Sequence, residues 1–121
     1  MNVLGYINNK LSDIINYEFG MWTSEKLAFP YWVGEYQELG INTEQQKQEY
    51  SFTLTGTTNG TWLDLENDKK KIKQLFADHT EIIEEGHGVA VYFNTVLQIP
   101  SEDETIKRMQ IILTIHEWGL I

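Results

Sequence analysis

The chain has 121 residues, no cysteine and a formal net charge of −9, with a pI near 4.6. Its length suits one domain, and 41% hydrophobic with 12% aromatic residues is enough for a real core. The acid excess argues against a nucleic-acid surface, which needs clustered Lys or Arg to meet phosphates, and against an anionic membrane. Without cysteine there is no disulfide frame, thiolate nucleophile or thiolate metal site.

The chain opens on an amphipathic pattern. Leu4, Ile7, Leu11, Ile14 and Ile15 recur at helical spacing, with Asn8, Asn9, Lys10, Ser12 and Asp13 opposite. The spacing predicts a helix of about four turns from near Val3 to near Tyr17, with Gly20 as its stop. This N-terminus has no basic segment and no uninterrupted apolar stretch, so no signal peptide is expected. No apolar run is long enough to span a bilayer.

Glu18 to Phe29 carries Phe19, Met21, Trp22 and Phe29 in a stretch that reads as a loop over the core edge. Its aromatics also suit a partner contact, because aromatic residues and Met are enriched in interface cores. Pro30 then opens a strand, PYWVGEYQE, in which Tyr31 and Val33 point one way and Trp32, Gly34 and Tyr36 the other. Gly34 marks a bulge or a close backbone approach. Trp22, Phe29, Tyr31 and Trp32 are therefore the candidate interface residues. The polar stretch from Leu39 to Gln48 reads as a hairpin loop.

The clearest passage runs from Glu49 to Phe76. Tyr50, Phe52 and Leu54 alternate with Ser51, Thr53 and Thr55, which gives a strand with one apolar and one hydroxyl face. Gly56 to Gly60 breaks it, because Gly and Asn tolerate turn geometry. Thr61 is the expected N-cap, its hydroxyl accepting from the N–H of Asp64. Trp62, Leu65, Ile72, Leu75 and Phe76 form the buried stripe of the helix that follows. Acidic residues come early in this helix and lysines late, which complements its dipole. Lys69, Lys70 and Lys71 are then a solvated face rather than a basic patch.

Asp78 to Gly88 reads as a connection. Two long strands follow, one alternating from Val89 past Phe93 to Ile99 and one through Met109, Ile111, Leu113 and Ile115. They pair as an antiparallel hairpin around a charged turn beginning at Pro100. The order α-β-β-α-β-β implies an α+β fold, with a four-stranded antiparallel or mixed sheet and two helices packed on one face. No internal repeat is evident.

Catalytic and metal-binding patterns are scarce. His79, His87 and His116 form no local ligand pair. Glu81, Glu84, Glu85 and His87 cluster in sequence, but a solvated acidic loop explains them better than an oxygen-rich cation site. Phosphate-binding loops and a G-x-S-x-G elbow are missing. Glu35, among Tyr31, Trp32 and Tyr36, is the one carboxylate whose burial would raise its pKa, and a surface role is the simpler reading. Neither a catalytic set nor a cofactor or metal site is expected.

The segments PYWVGEY, FTLTGTTNGTW, LDLENDKKKIKQLF and LTIHEW, in this order behind an N-terminal amphipathic helix, resemble the tail-terminator and tail-completion proteins of long-tailed bacteriophages and prophages, including the neck and head–tail joining proteins. The matching positions are Pro30, Tyr31, Phe52, Leu54, Leu65, Ile72 and Leu75, which would be core residues. The resemblance implies a non-enzymatic virion structural protein that assembles as a ring, typically a hexamer, against tail-tube or neck proteins. It implies localisation in the tail or neck after synthesis in the host cytoplasm, with no sequence-specific nucleic acid and no membrane. In such a ring, acidic residues would repel phosphates and let a duplex slide, and Glu44, Glu102, Asp103 and Glu104 are candidates for that lining. The alternative is a small α+β protein-interaction or ligand-binding module unrelated to phage.

Overall fold

A computed structural model describes residues 3–20, 29–42, 47–76, 79–84 and 87–118. The elements are α1 (Val3–Ser12), β1 (Tyr17–Phe19), β2 (Tyr31–Asn42), β3 (Lys47–Thr58), α2 (Trp62–Phe76), β4 (His79–Glu84), β5 (His87–Ile99) and β6 (Lys107–Trp118). All six strands join one sheet, in the order β1-β2-β3-β6-β5-β4.

The α+β class and the two helices agree with the sequence reading, but the four-stranded sheet and the α-β-β-α-β-β order do not. The two additional strands, β1 and β4, are the margins of the sheet. β1 lies parallel to β2, which makes the sheet mixed, and every other junction is antiparallel. Both fall in stretches expected to be loops. Neither carries a clear alternating pattern of its own, and each is a strand because a longer neighbour supplies its hydrogen bonds.

α1 is also shorter than its periodicity suggests. It ends at Ser12, and the N–H groups of Ile14 and Ile15 both donate to the Leu11 carbonyl, each at 3.1 Å. Ile15 remains buried beyond the helix, which is why the apolar spacing continues past its end. Gly20 terminates β1 instead. It has a φ of 84°, and its N–H donates to the Gly34 carbonyl at 2.8 Å.

One face of the sheet meets both helices. Trp32, Phe52, Leu54, Val89, Val91, Met109, Ile111, Leu113 and Ile115 point to that face and form one cluster with Ile7 and Leu11 of α1 and with Leu65, Ile72 and Phe76 of α2. The other face carries Ser51, Thr53 and Thr55 beside Ile112 and Thr114, as the alternation along β3 predicts. Gly34 proves to be a close approach rather than a bulge, for the Tyr17 side chain packs against it. The irregularities fall between Glu38 and Ile41, between Ile82 and Glu84 and between Phe93 and Thr95.

The element order repeats as αβββ-αβββ, an internal repeat that the residues do not announce. The halves meet at β3 and β6, where Phe52 pairs with Leu113, both fully buried. The spacing from Phe52 to Leu113 also carries Leu11 of α1 onto Ile72 of α2, and Ile15, just beyond α1, onto Phe76, so buried positions recur at the same spacing. The repeat conserves burial and not residue identity. At the margins it breaks, since β1 runs parallel to its neighbour and β4 antiparallel.

Candidate assembly surfaces

The candidate interface residues divide. Trp32 lies fully inside the core, packed over Gly56 of β3 and donating from Nε1 to Asp68 Oδ2 at 2.9 Å. It presents nothing to a partner, so Trp32 is a core residue and not an interface residue. Pattern reading missed this because a tryptophan on a half-buried strand looks the same in sequence whichever face is covered. Gly56, its cross-strand partner, was the available signal. Phe29 and Tyr31 are half-buried, with ring centroids 5.6 Å apart, at the start of β2. The Phe29–Pro30 peptide is cis. Trp22 and Glu44 lie outside the described residues.

Glu102, Asp103 and Glu104 are exposed on the β5–β6 turn. Asp103 organises that turn: its Oδ1 accepts from the Thr105 N–H at 2.9 Å and from the Thr105 hydroxyl at 2.7 Å. These bonds favour the charged carboxylate and hold its pKa below the ordinary aspartate value. A cleft of about 450 Å³ opens where α1, α2 and Pro30 meet, with Asp13, Asp68 and Lys71 among its polar lining.

Glu35 is exposed on the face of β2 away from the helices, opposite Thr53, and lacks the burial that acid–base chemistry would call on. Among the described residues no group of three His, Asp or Glu side chains is placed to hold a metal ion. Glu85 lies outside the described residues, and Glu81, Glu84 and His87 are assigned only as strand positions.

The exposed apolar residues of the sheet that pattern reading did not single out as contacts are Tyr36, Leu39, Tyr92 and Leu97. Phe19, Tyr36 and Tyr50 form a run of rings across β1, β2 and β3, with centroids 6.0 Å apart for Phe19–Tyr36 and 6.1 Å for Tyr36–Tyr50. Tyr50 also donates to Glu117 Oε1 at 2.8 Å. Burial first, and then this bond, push the Tyr50 phenol pKa well above the ordinary range. Among the described residues the exposed large apolar side chains are Phe19, Tyr36, Leu39, Leu63, Tyr92 and Leu97. All but Leu63 sit on β1, β2 or β5, that is, on an outermost strand or the strand next to one.

No protein-family model matches the chain, and no curated protein is a significant match. No helix among the described residues is long and apolar enough to cross a membrane.

Proposed function

We propose that this chain is a non-enzymatic structural protein of a bacteriophage or prophage virion, acting at the tail end or head–tail neck, where copies assemble as a ring that caps the tail tube. The observation that carries this reading is the placement of exposed apolar side chains at two opposite margins of one sheet: Tyr36 and Leu39 on the β2 side, Tyr92 and Leu97 on the β5 side. A closed ring needs two different patches on each subunit, one meeting the other on the neighbour. A single patch would favour a twofold dimer.

The acidic balance suits a passage for DNA. A negatively charged lumen repels the duplex and keeps it from sticking, and the Glu102–Glu104 turn is a compact exposed source of such charge. The resemblance of the segments PYWVGEY, FTLTGTTNGTW, LDLENDKKKIKQLF and LTIHEW to those of tail-terminator and neck proteins favours the same assignment.

The test is the mass of the purified protein by light scattering across a wide concentration range, repeated with isolated phage tail tubes. A discrete ring-sized species, alone or on the tube end, supports the reading. A chain that stays monomeric throughout and does not bind tubes overturns it.

A further inference from the structure

The two margins match each other in more than hydrophobicity. β1 pairs only with Trp32, Val33 and Gly34, so among the described residues β2 has a free outer edge over the eight residues Glu35–Asn42. β4 pairs only with His87 to Val91, so β5 likewise has a free outer edge over the eight residues Tyr92–Ile99. Free edges carry unpaired backbone N–H and C=O groups and accept further strands unless charge, proline or cover prevents it. The β5 edge, YFNTVLQI, has no charged residue and no proline.

We infer that the β5 edge of one copy takes up the β2 edge of the next, antiparallel, so that the sheet runs continuously from subunit to subunit. This deepens the ring-forming reading above and rests on it.

Strand polarity is the first argument. β2 and β5 run in opposite directions within one sheet. A neighbour placed side by side in the same orientation therefore brings its β2 antiparallel to β5, repeating the junctions already present. The half-length strands do not compete for the joint. β1 covers the N-terminal end of β2 and β4 the N-terminal end of β5, and in an antiparallel joint these ends lie far apart.

Register gives the second argument. Laid end to end, the free segments place Glu35 opposite Ile99, Tyr36 opposite Gln98, Gln37 opposite Leu97 and Glu38 opposite Val96. This pairing keeps the faces in step. Tyr36 shares the helix-covered face with Phe52, and Gln98 shares it with Met109, while Gln37 and Leu97 lie on the other face with Ser51 and Gln110. A register slipped by one residue would set the faces against each other.

Charge is the third. The β2 edge carries exposed Glu35 and Glu38, while the β5 margin is flanked by Lys73, whose Nζ lies 5.6 Å from the Phe93 ring centroid, and by Arg108 beside Ile99. Two β2 edges would oppose like charges. Two β5 edges could pair, but would leave Tyr36 and Leu39 uncovered. Only the β5-to-β2 joint covers both margins.

The absence of cysteine makes the test direct. Gln37→Cys and Leu97→Cys variants are oxidised singly and as an equimolar mixture, with Glu35→Cys plus Leu97→Cys reporting a register slip of two. A disulfide dimer that needs the Gln37→Cys and Leu97→Cys chains together, and a ladder closing at ring size from the double variant, are expected. A Leu97→Cys dimer formed alone would overturn the joint in favour of a twofold one. Oligomers by light scattering with no cross-link in either pair would overturn the joint and leave the ring reading standing. A monomer at every concentration, without tubes or on them, would overturn both. Leu97→Lys, confirmed folded by circular dichroism, is expected to weaken association by about tenfold or more, because an edge lysine blocks strand addition.

Discussion

The Trp32 indole N–H donates to Asp68 Oδ2 at 2.9 Å, tying β2 to α2 through the interior of the fold. Asp68 is itself nearly buried, and Lys71 Nζ lies 3.8 Å from its other oxygen. A buried donor stripped of its acceptor pays its full desolvation cost. Asp68→Leu should therefore destabilise the protein by about 1–3 kcal/mol, while Asp68→Asn, which keeps an acceptor, should cost less. Urea unfolding of both variants checks this, and equal losses would refute a specific role for the bond.

Two glycines face tryptophans on neighbouring strands, and they should respond differently to alanine. A Cβ on Gly56 would sit 2.7 Å from carbons of the Trp32 ring, and one on Gly88 would sit 2.6 Å from the Trp118 ring. Trp32 is locked in the core by Asp68, whereas Trp118 is only partly buried on the face away from the helices. Gly56→Ala is expected to cost about 1–3 kcal/mol, as overpacking a filled core does. Gly88→Ala should cost clearly less, because the Trp118 ring can move outward. Thermal melts of the two variants side by side decide the point.

These pairs also show what could be read in advance. The strand and helix on either side of the β3–α2 passage were legible because alternation and helical spacing agreed with the fold, but the break expected over Gly56 to Gly60 is confined to Asn59 and Gly60, since Gly56, Thr57 and Thr58 still pair with β6. Even there the cap differs in detail, since the Asp64 carboxylate accepts from the Thr61 N–H at 3.2 Å rather than the Thr61 hydroxyl accepting from Asp64. β1 and β4 were not legible. Tyr17–Phe19 is too short to show a period, and adjacent Ile82 and Ile83 break the alternation of β4. The strand edges share this difficulty, because an edge is defined by how far the neighbouring strand extends and not by its own residues. The unbroken neutral run from Tyr92 to Ile99 is the one sequence feature that marks such an edge.

Stability should fall on the alkaline side. Burial raises the phenol pKa of Tyr17 above the ordinary tyrosine range, and burial together with the Glu117 bond does the same for Tyr50. A raised folded-state pKa means the neutral form is favoured on folding. The contribution is complete below the unfolded value near 10 and is lost as pH rises through the folded values. Melting temperature should therefore drop above about pH 10, and a Tyr17→Phe, Tyr50→Phe double variant should lose less of it there. The same variant should be less stable near neutrality, because Tyr17 donates to Asn8 and Tyr50 to Glu117.

The opposite sign applies at the β5–β6 turn. Asp103 accepts two bonds from Thr105, and its lowered pKa means that the charged form is favoured in the folded turn. That contribution is present above the unfolded aspartate value and disappears as pH falls through the folded one. Asp103 is fully exposed, so the effect belongs to the turn and not to the core. In a pH titration followed by NMR, the Thr105 amide should report the Asp103 carboxyl titrating below the ordinary aspartate value, while core amides such as Leu113 stay unmoved. Asp103→Ala should remove that titration and loosen the turn without lowering the melting temperature appreciably. Asp103→Asn, which retains a side-chain acceptor but no charge, separates the two contributions: an ordered turn with no titration would show that geometry alone suffices. If ring assembly depends on this turn, the alanine variant should also shift the light-scattering mass, which ties the local bond to the proposed lumen.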